Sequence, residues 1–374
     1  MVKSRSVERD DRRKIISYGK QSIDESDISA VEEVLRSDWL TQGPKVSEFE
    51  EALAKYCGAK YAVTFANGTA ALHGAYYAAG LKKGDEFITT PNTFAATANA
   101  GVFLGATPIF VDVELETGNI DANLIKEKIT NKTKIIVPVD YSGQPVDLDE
   151  IKKYGLIIIE DGCHALGATY KDRKVGSVAD MTVFSFHPVK TITTGEGGAV
   201  MTNDEKYYEK LKTFRTHGIK KEGRWKGDME DIGYNYRLTD MQCALGISQL
   251  KRVDQFVSKR EKIAQRYDKE LKNIVEFIKI KQDRESSRHL YPIRVPANKR
   301  KKIMESLLEK GIATQTHYKP VYWHSYYAKD YKKGLCPNAE TFYEEEISLP
   351  IYPSLTEEEQ TYIVKTLKNI IKND

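Results

Sequence analysis

Short apolar segments alternate with amphipathic helical patterns along most of the first 250 residues. The segments at 61–66, 87–90, 108–113, 135–139, 156–159, 182–186 and 199–202 have the length of strands. They are apolar on both faces, which favours a buried, mostly parallel sheet covered by helices. Between the first two strands, residues 70–79 have the pattern of a helix that ends at Gly80.

Two longer helical patterns flank this alternation. Ser22 and Glu25 have the spacing of a capping box, and apolar residues follow at helical spacing, which predicts a helix ending near Asp38. A second pattern begins near Thr239 and continues past Arg260. It predicts one long helix that links two domains.

The C-terminal part has a different order of elements. Strands are predicted over 289–295 and 347–350, and helices over 299–310 and 357–371. We therefore predict an α/β protein with a large domain at 40–250 and a smaller α+β domain at 251–374. An N-terminal segment at 15–39 and a solvated tail at 1–14 precede them.

Composition narrows the function classes. The chain has 374 residues, 40% of them hydrophobic and 30% charged, and a formal net charge of +3. This near balance gives no general attraction to nucleic acid or membranes. No apolar signal core follows the charged N-terminus, and the four cysteines are scattered, so we expect a cytoplasmic protein with reduced thiols.

Lys190 is the first candidate for chemistry. It lies where an apolar strand gives way to small, hydroxylated and glycine residues. A lysine that loses hydration there has a lowered pKa, and its neutral amine can condense with an aldehyde. A surface lysine on a turn is the alternative.

Asp161 follows the apolar segment 156–159, at a strand end where α/β sheets bind ligands. A carboxylate there could keep a pyridinium nitrogen protonated, and the alternative is a loop carboxylate that caps the next turn. Asn67, Gly68 and Thr69 join a strand to an alanine-rich helix. The N–H groups of that helix start and the Thr69 hydroxyl suit a phosphate, although many strand–helix turns contain glycine.

These segments together resemble the DegT/DnrJ/EryC1/StrS family of sugar aminotransferases, from about Tyr18 to the C-terminus. The motifs that carry the resemblance are Leu40-Thr41-Gln42-Gly43, Asn67-Gly68-Thr69-Ala70-Ala71-Leu72, Gly84-Asp85-Glu86, the segment around Asp161 and His164, and the segment around Lys190. The resemblance implies the aspartate-aminotransferase-like fold, called fold type I. It also implies pyridoxal 5′-phosphate as cofactor, attached to Lys190.

Further roles come only from the resemblance. It places His164 beside the cofactor's phenolic oxygen, where other members often have glutamine, and Ser185 at the phosphate. Phe94 would stack on the pyridine ring, unless it is a core residue. Asn235 would reach the phosphate of the neighbouring subunit, which implies a homodimer with shared active sites. Asn67 departs from the serine usual in the family.

Finer segments resemble one subgroup of the family. They are Thr89-Thr90-Pro91, Val139-Asp140-Tyr141-Ser142-Gly143, His289-Leu290-Tyr291-Pro292-Ile293 and His317-Tyr318-Lys319-Pro320-Val321-Tyr322. The subgroup moves the amino group of L-glutamate to C4 of a UDP-linked 4-keto-6-deoxy-N-acetyl-hexosamine in pseudaminic acid biosynthesis. The amino donor leaves as 2-oxoglutarate. Arg237, His317 and Tyr318 are then candidate substrate contacts. The charged segment 220–231 would be a mobile loop over the partner's substrate, or simply a solvated charge run.

Other readings remain open at this point. The product could be perosamine, a bacillosamine precursor or 4-amino-arabinose, which the motifs around Lys190 do not separate. A sugar dehydratase of the same fold would have histidine in place of Lys190, and a non-catalytic regulator would not need the lysine and the acid together. The chain lacks a GxGxxG motif, a P-loop and histidines with metal-ligand spacing, so nucleotide-cofactor and metal enzymes are disfavoured.

Overall fold

Residues 15–223 and 225–373 are described by a computed structural model, and the tail predicted at 1–14 lies outside them. The α-helices of the described residues are α1 (Glu25–Leu35), α2 (Pro44–Cys57), α3 (Gly68–Ala78), α4 (Ala96–Phe103), α5 (Leu148–Lys152), α6 (Glu205–Arg215), α7 (Asp240–Leu250), α8 (Val253–Leu271), α9 (Ala297–Glu309), α10 (Pro337–Glu345) and α11 (Glu357–Lys372). The strands are β1 (Tyr61–Phe65), β2 (Glu86–Thr89), β3 (Thr107–Phe110), β4 (Thr133–Val137), β5 (Ile157–Asp161), β6 (Thr169–Tyr170), β7 (Arg173–Lys174), β8 (Met181–Ser185), β9 (Gly198–Thr202), β10 (Ile219–Glu222), β11 (Lys226–Met229), β12 (Glu276–Phe277), β13 (Arg284–Glu285), β14 (Tyr291–Arg294) and β15 (Glu346–Leu349).

A seven-stranded sheet forms the centre of the large domain, in the order β1-β9-β8-β5-β4-β2-β3. β9 runs antiparallel to β1 and β8, and the other pairs are parallel. Its strands are buried as predicted from their apolar sequences, because helices cover both faces. The register aligns Asp161 at the end of β5 with Val183 in β8, so the ends of these strands lie side by side.

The small domain has a three-stranded antiparallel sheet, β12-β14-β15, packed against helices α8, α9 and α11. Its apolar core includes Ile293, Leu307 and Ile363, all without exposed surface. Ile16 belongs to the same core and forms a parallel bridge with Ile312: its N–H donates to the Gly311 carbonyl at 2.8 Å, and its carbonyl accepts from the Ala313 N–H at 2.9 Å. The N-terminal segment is thus bonded to the small domain, while α1 packs on α7.

The prediction of one helix from Thr239 past Arg260 is wrong. The chain forms α7 and α8 with a break at Lys251 and Arg252. No glycine or proline marks the break in the sequence. Arg252 forms ion pairs with Asp24 and Asp27 near the start of α1, and α8 then turns to pack on α11. The two halves have different tertiary partners, which a helical period does not reveal.

The first helix is present, but its predicted cap is wrong. Asp24, not Ser22, is the N-cap, and it forms a capping box with Asp27. Asp27 is buried and accepts a hydrogen bond of 2.6 Å from Gln249, while the Ser22 carbonyl accepts one of 2.8 Å from the same amide. Contacts with α7 therefore select the cap among several polar residues.

The segment 220–231 is not a loop. Most of it forms a hairpin of β10 and β11, with Ile219 opposite Met229. Alternation of lysine, glycine and acidic residues hid these strands, because the hairpin side chains whose burial is described, at 219, 220 and 226–229, are exposed and impose no apolar pattern. Among the described residues, no helix is both long and apolar enough to cross a membrane.

Candidate active site

A cleft of about 1120 Å³ opens at the strand ends of the central sheet and is closed on one side by residues 315–319 of the small domain. Most of the predicted site residues meet there, although they come from both domains. The predicted residues that line it are Gly68, Thr69, Phe94, Asp161, His164, Ser185, Lys190, His317 and Tyr318.

Lys190 lies in the loop that follows β8, with its N–H donating to the His187 carbonyl at 2.9 Å. Its side chain is half-buried and points to the cleft. Loss of hydration lowers the pKa of the Lys190 ammonium, and the negative charges available at Cys163 and Asp161 oppose this shift. The surroundings thus favour a neutral amine more than water does.

Asp161 ends β5 and is only 4% exposed. Its Oδ2 accepts a hydrogen bond of 2.7 Å from the Thr97 hydroxyl, and its Oδ1 accepts one of 3.2 Å from the Cys163 N–H. Thr97 is in turn 2.7 Å from the Thr93 hydroxyl. The sequence pattern predicts neither threonine as a site residue, because only the packing of α4 on the sheet brings Thr97 to the carboxylate.

The start of α3 faces Ser185 across the cleft. Asn67 caps the helix by accepting from the Ala70 N–H at 2.9 Å, which leaves the earlier N–H groups of the first turn without intrahelical partners. A Cβ at Gly68 would lie 3.2 Å from the Ser185 hydroxyl, and one at Gly198 would lie 2.6 Å from the Asn67 carbonyl. Glycine at these positions lets the helix start and β9 approach closely, which forms a cradle of donors.

Neutral imidazoles lie where the large-domain segment after β5 meets the small domain. His164 Nε2 is 3.0 Å from the Tyr318 hydroxyl, and the His164 ring lies 4.4 Å from that of His289. Burial lowers the pKa of His164 well below its usual range, and the positive charges of Lys190 and His317 lower it further. His164 Nδ1 is buried and has no hydrogen-bond partner within the described part of the chain. Sequence reasoning did not single out His289 as a cleft residue.

His317 is fixed by hydrogen bonds on three sides. Its N–H donates to Glu346 at 2.7 Å, its Nδ1 is 2.8 Å from the Ser348 hydroxyl, and its carbonyl accepts from Tyr141 at 2.7 Å. Burial lowers the pKa of His317 to about 3 and raises that of Glu346 to about 8. Both side chains are therefore neutral over much of the ordinary pH range.

Phe94 is 65% exposed at the cleft, so the alternative of a core phenylalanine is wrong. Its ring is tilted against that of Tyr318, with centroids 6.3 Å apart.

Asn235 and Arg237 do not line the cleft of the single chain. Asn235 is exposed and pairs through its backbone with Thr216, and Arg237 is half-buried.

Comparisons with known proteins identify the family of this chain. A profile described as the DegT/DnrJ/EryC1/StrS aminotransferase family matches residues 21–368. The chain belongs to this family. It is 46% identical over 370 residues to a "UDP-4-amino-4,6-dideoxy-N-acetyl-beta-L-altrosamine transaminase" of Campylobacter jejuni, a match that spans 96% of this chain and 98% of the relative.

Solved structures agree. Helicobacter pylori PseC, described as an aminotransferase involved in the biosynthesis of pseudoaminic acid, superposes with a TM-score of 0.93 at 40% identity, over 96% of this chain and 100% of its own. A sugar aminotransferase of Streptococcus pneumoniae in its PMP form has a TM-score of 0.92 at 34% identity, over 96% of this chain and 99% of its own. That protein is also known in a PLP form. The predicted fold type and the predicted class, a PLP-dependent sugar aminotransferase, are confirmed.

The residues present fit pyridoxal phosphate. A lysine with reduced hydration, a buried carboxylate and a helix start beside a hydroxyl are the groups that this cofactor requires. The unpartnered Nδ1 of His164 is a fourth, because a buried polar atom that faces a cleft is expected to meet a ligand.

Proposed function

We propose that this chain transfers the amino group of L-glutamate to C4 of a UDP-linked 4-keto-6-deoxy-N-acetyl-hexosamine, as in pseudaminic acid biosynthesis. The observation that supports the proposal best is the meeting of Lys190, Asp161 and the start of α3 in one cleft. The names of the relatives in Campylobacter and Helicobacter support the choice of substrate.

Lys190 and Asp161 have complementary roles in this proposal. Bound pyridoxal phosphate supplies an aldehyde and a ring that withdraws electrons when its nitrogen is protonated. Lys190 Nζ would hold the cofactor by its aldehyde group and, once the amino donor had displaced it, would move a proton from Cα of glutamate and later to C4 of the sugar. Asp161 keeps the ring nitrogen protonated, and Thr97 fixes the orientation of the carboxylate by its hydrogen bond.

The other predicted residues bind and orient. Gly68, Thr69 and Ser185 hold the phosphate through backbone N–H and hydroxyl groups. His164 donates or accepts at the phenolic oxygen through Nδ1, since its Nε2 is engaged by Tyr318. Phe94 covers the ring, where stacking contributes roughly 0.5–1.5 kcal/mol beyond area burial.

We further propose a homodimer in which Asn235 reaches the partner's phosphate and Arg237 contacts an anionic group of the substrate. Asn235 is exposed and does not line its own cleft, although the adjacent Tyr236 does. Met229, Ile232 and Tyr234, near it in sequence, expose large apolar surface. Exposed apolar patches of this kind are typical of subunit contacts. His317 and Tyr318 would line the sugar site from the small domain.

Two measurements test the activity. Adding L-glutamate to the loaded protein should bleach its visible absorption band, and adding 2-oxoglutarate should restore it. Product analysis by NMR with UDP-linked 4-keto sugars of the L-arabino and D-xylo series, and with a GDP-linked 4-keto sugar, should show 4-amino product from one UDP series only. Turnover of the GDP sugar alone would replace the proposal by a perosamine-type enzyme.

The shared site is tested by complementation. We expect Lys190→Ala and Asn235→Glu chains to be inactive separately, because the acidic side chain repels the phosphate. Mixed dimers formed after partial unfolding should recover part of the activity, since one native site would combine Lys190 of one chain with Asn235 of the other. Mixed dimers that form without any recovery would contradict the shared-site proposal.

A further inference from the structure

Arg260 in α8 is a buried cation without an acidic partner. Its side chain is 1% exposed, and no carboxylate lies within ion-pair distance among the residues that the structure describes. Its guanidinium instead donates to backbone carbonyls, to Ile351 at 2.9 Å, His289 at 3.1 Å and Val189 at 3.5 Å. Its Nε is buried without a partner in the same part of the chain.

With the Arg288 carbonyl, which also accepts from Arg260 at 3.4 Å, these are four carbonyls in three separate segments that border the cleft. Val189 precedes Lys190 in the loop after β8, and both residues line the cleft. His289 lines the opposite wall and packs on His164. Ile351 follows β15, and its N–H donates to the carbonyl of Tyr18, another cleft residue, at 3.1 Å. One side chain therefore joins the lysine loop to the small-domain wall.

Stability alone is a poor explanation for this arrangement. A buried ion without a counter-ion is costly, and apolar residues of similar volume often replace buried charges without loss of stability. Burial lowers the pKa of Arg260 only to about 10, so the guanidinium stays charged at neutral pH. That charge also acts on His289, whose pKa is lowered by burial first and then by nearby positive groups that include Arg260.

We propose that Arg260 is a positioning residue for the Lys190 site: it links the Val189 carbonyl, and with it the lysine loop, to the His289 and Ile351 segments of the small domain. This inference rests on the proposed role of Lys190. It concerns how that lysine is held and not what reaction it performs. Arg260 itself does not line the cleft.

The experiment compares Arg260→Met, Arg260→Lys and the control Arg266→Met in the cofactor-loaded protein. Arg266 lies in the same helix, but it binds the Glu357 carbonyl, Thr361 and Glu270 and so joins α8 to the start of α11 only. Three quantities are measured besides stability in urea: the dissociation constant of pyridoxal phosphate, the pH midpoint of the visible band, and kcat and KM separately. The titratable groups that face Lys190 and contribute to this midpoint are Asp161, Cys163, His164, His289 and His317.

For Arg260→Met we expect cofactor binding weaker by about tenfold and kcat lower by about tenfold with little change in KM, as for loss of about 1.4 kcal/mol of positioning. Removal of a positive charge should raise the pH midpoint, by about half a unit or more, because a protonated nitrogen at Lys190 becomes less costly. Arg260→Lys keeps the charge but loses the planar guanidinium with its several N–H donors. The pH midpoint of the visible band should therefore stay near that of the unmodified chain while cofactor binding weakens. Arg266→Met should change only stability.

Effects of Arg260→Met no larger than those of Arg266→Met would overturn the proposal. If Arg260→Met does not fold, Arg260→Lys decides: unchanged cofactor binding and kcat would overturn it. Loss of folding in both variants would also overturn it, because Arg260 would then serve the fold itself. The Lys190→Ala variant is measured first. A visible band that persists in this variant would refute the proposed role of Lys190 and not the role of Arg260.

Discussion

The two walls of the cleft differ in the polar groups that they present. The sheet wall presents Lys190 and Asp161, two groups that ionise, with Thr97 fixing the carboxylate. The small-domain wall presents His317, which burial keeps neutral, and Tyr318, whose pKa burial raises. Its polar atoms are largely satisfied by each other and by backbone groups.

This difference separates two tasks. Proton transfer requires a group whose protonation state can change, and the sheet wall supplies Lys190, whose ammonium pKa is lowered by loss of hydration. A polar substrate needs donors and acceptors that do not compete for that proton. His289, His317 and Tyr318 of the small-domain wall provide them, because burial lowers the pKa of both imidazoles and raises that of the phenol. Lys319 adds one cation to the same wall.

The largest expected effect follows removal of the charged amine of the sheet wall. Lys190→Ala should abolish the visible band and lower turnover by at least about 10³-fold, since no other described group takes its place at the aldehyde carbon. Lys319→Ala, which removes a lysine that lines the same cleft from the small domain, should cost less than about tenfold. Near-native turnover in Lys190→Ala would refute the assignment.

Asp161→Asn should lower the glutamate half-reaction by roughly 10²- to 10⁴-fold while the fold persists, because a neutral amide does not keep the ring nitrogen protonated. Stopped-flow absorbance measures the rate. Asp140→Asn is a matched control, because burial and the nearby Glu160 charge raise the pKa of Asp140 well above its usual range and its side chain does not line the cleft. Equal rates in wild type and Asp161→Asn would make Asp161 a structural residue.

Thr97→Val tests the support of the carboxylate. Loss of a hydrogen bond to a charged group should lower the same rate roughly 10- to 150-fold, as expected for the ~1.5–3 kcal/mol typical of such bonds. Thr97→Ser keeps the hydroxyl and should recover most of the rate. If the serine and valine variants behave alike, the hydrogen bond is not the reason for the loss.

Tyr318→Phe should have a smaller effect, about three- to tenfold, because the bond to His164 joins two neutral groups and such bonds contribute about 0.5–1.5 kcal/mol. Kinetics with saturating glutamate and sugar measure it. A loss as large as that of Asp161→Asn would show that the small-domain wall takes part in proton transfer, and the contrast between the walls would fail.

Glu346→Gln should affect stability more than activity. The pKa of Glu346 is raised from 4.5 to about 8 in the folded chain, so its contribution is complete below pH 4.5 and declines as pH rises towards 8. Glu346→Gln should therefore make unfolding free energy fall less steeply between pH 5 and 8, by at most ~1.4 kcal/mol per pH unit. Urea titrations at several pH values test this. If the unfolding free energies of wild type and Glu346→Gln depend on pH in the same way, Glu346 is not the group that titrates in this range.

The sequence determined the central sheet closely, because strands such as 182–186 and 199–202 lie within about one residue of β8 and β9. Full burial forces such strands to be apolar on both faces, so the pattern is visible without the structure. Lys190 and Asp161 were recognisable for a related reason. Asp161 ends β5 and Lys190 lies in the loop after β8, and strand ends of an α/β sheet meet at one edge.

The tertiary structure alone decided the small-domain wall and the break between α7 and α8. His289, Glu346 and Thr97 reach the site through contacts between segments far apart in the chain, and no local pattern records such contacts. Arg252 likewise fixes the helix break through Asp24 and Asp27. Strand and helix periodicity is a pattern of neighbouring residues and can be read from the sequence. The neutral state of the buried imidazoles and the position of a helix end depend instead on partners that only the folded chain supplies.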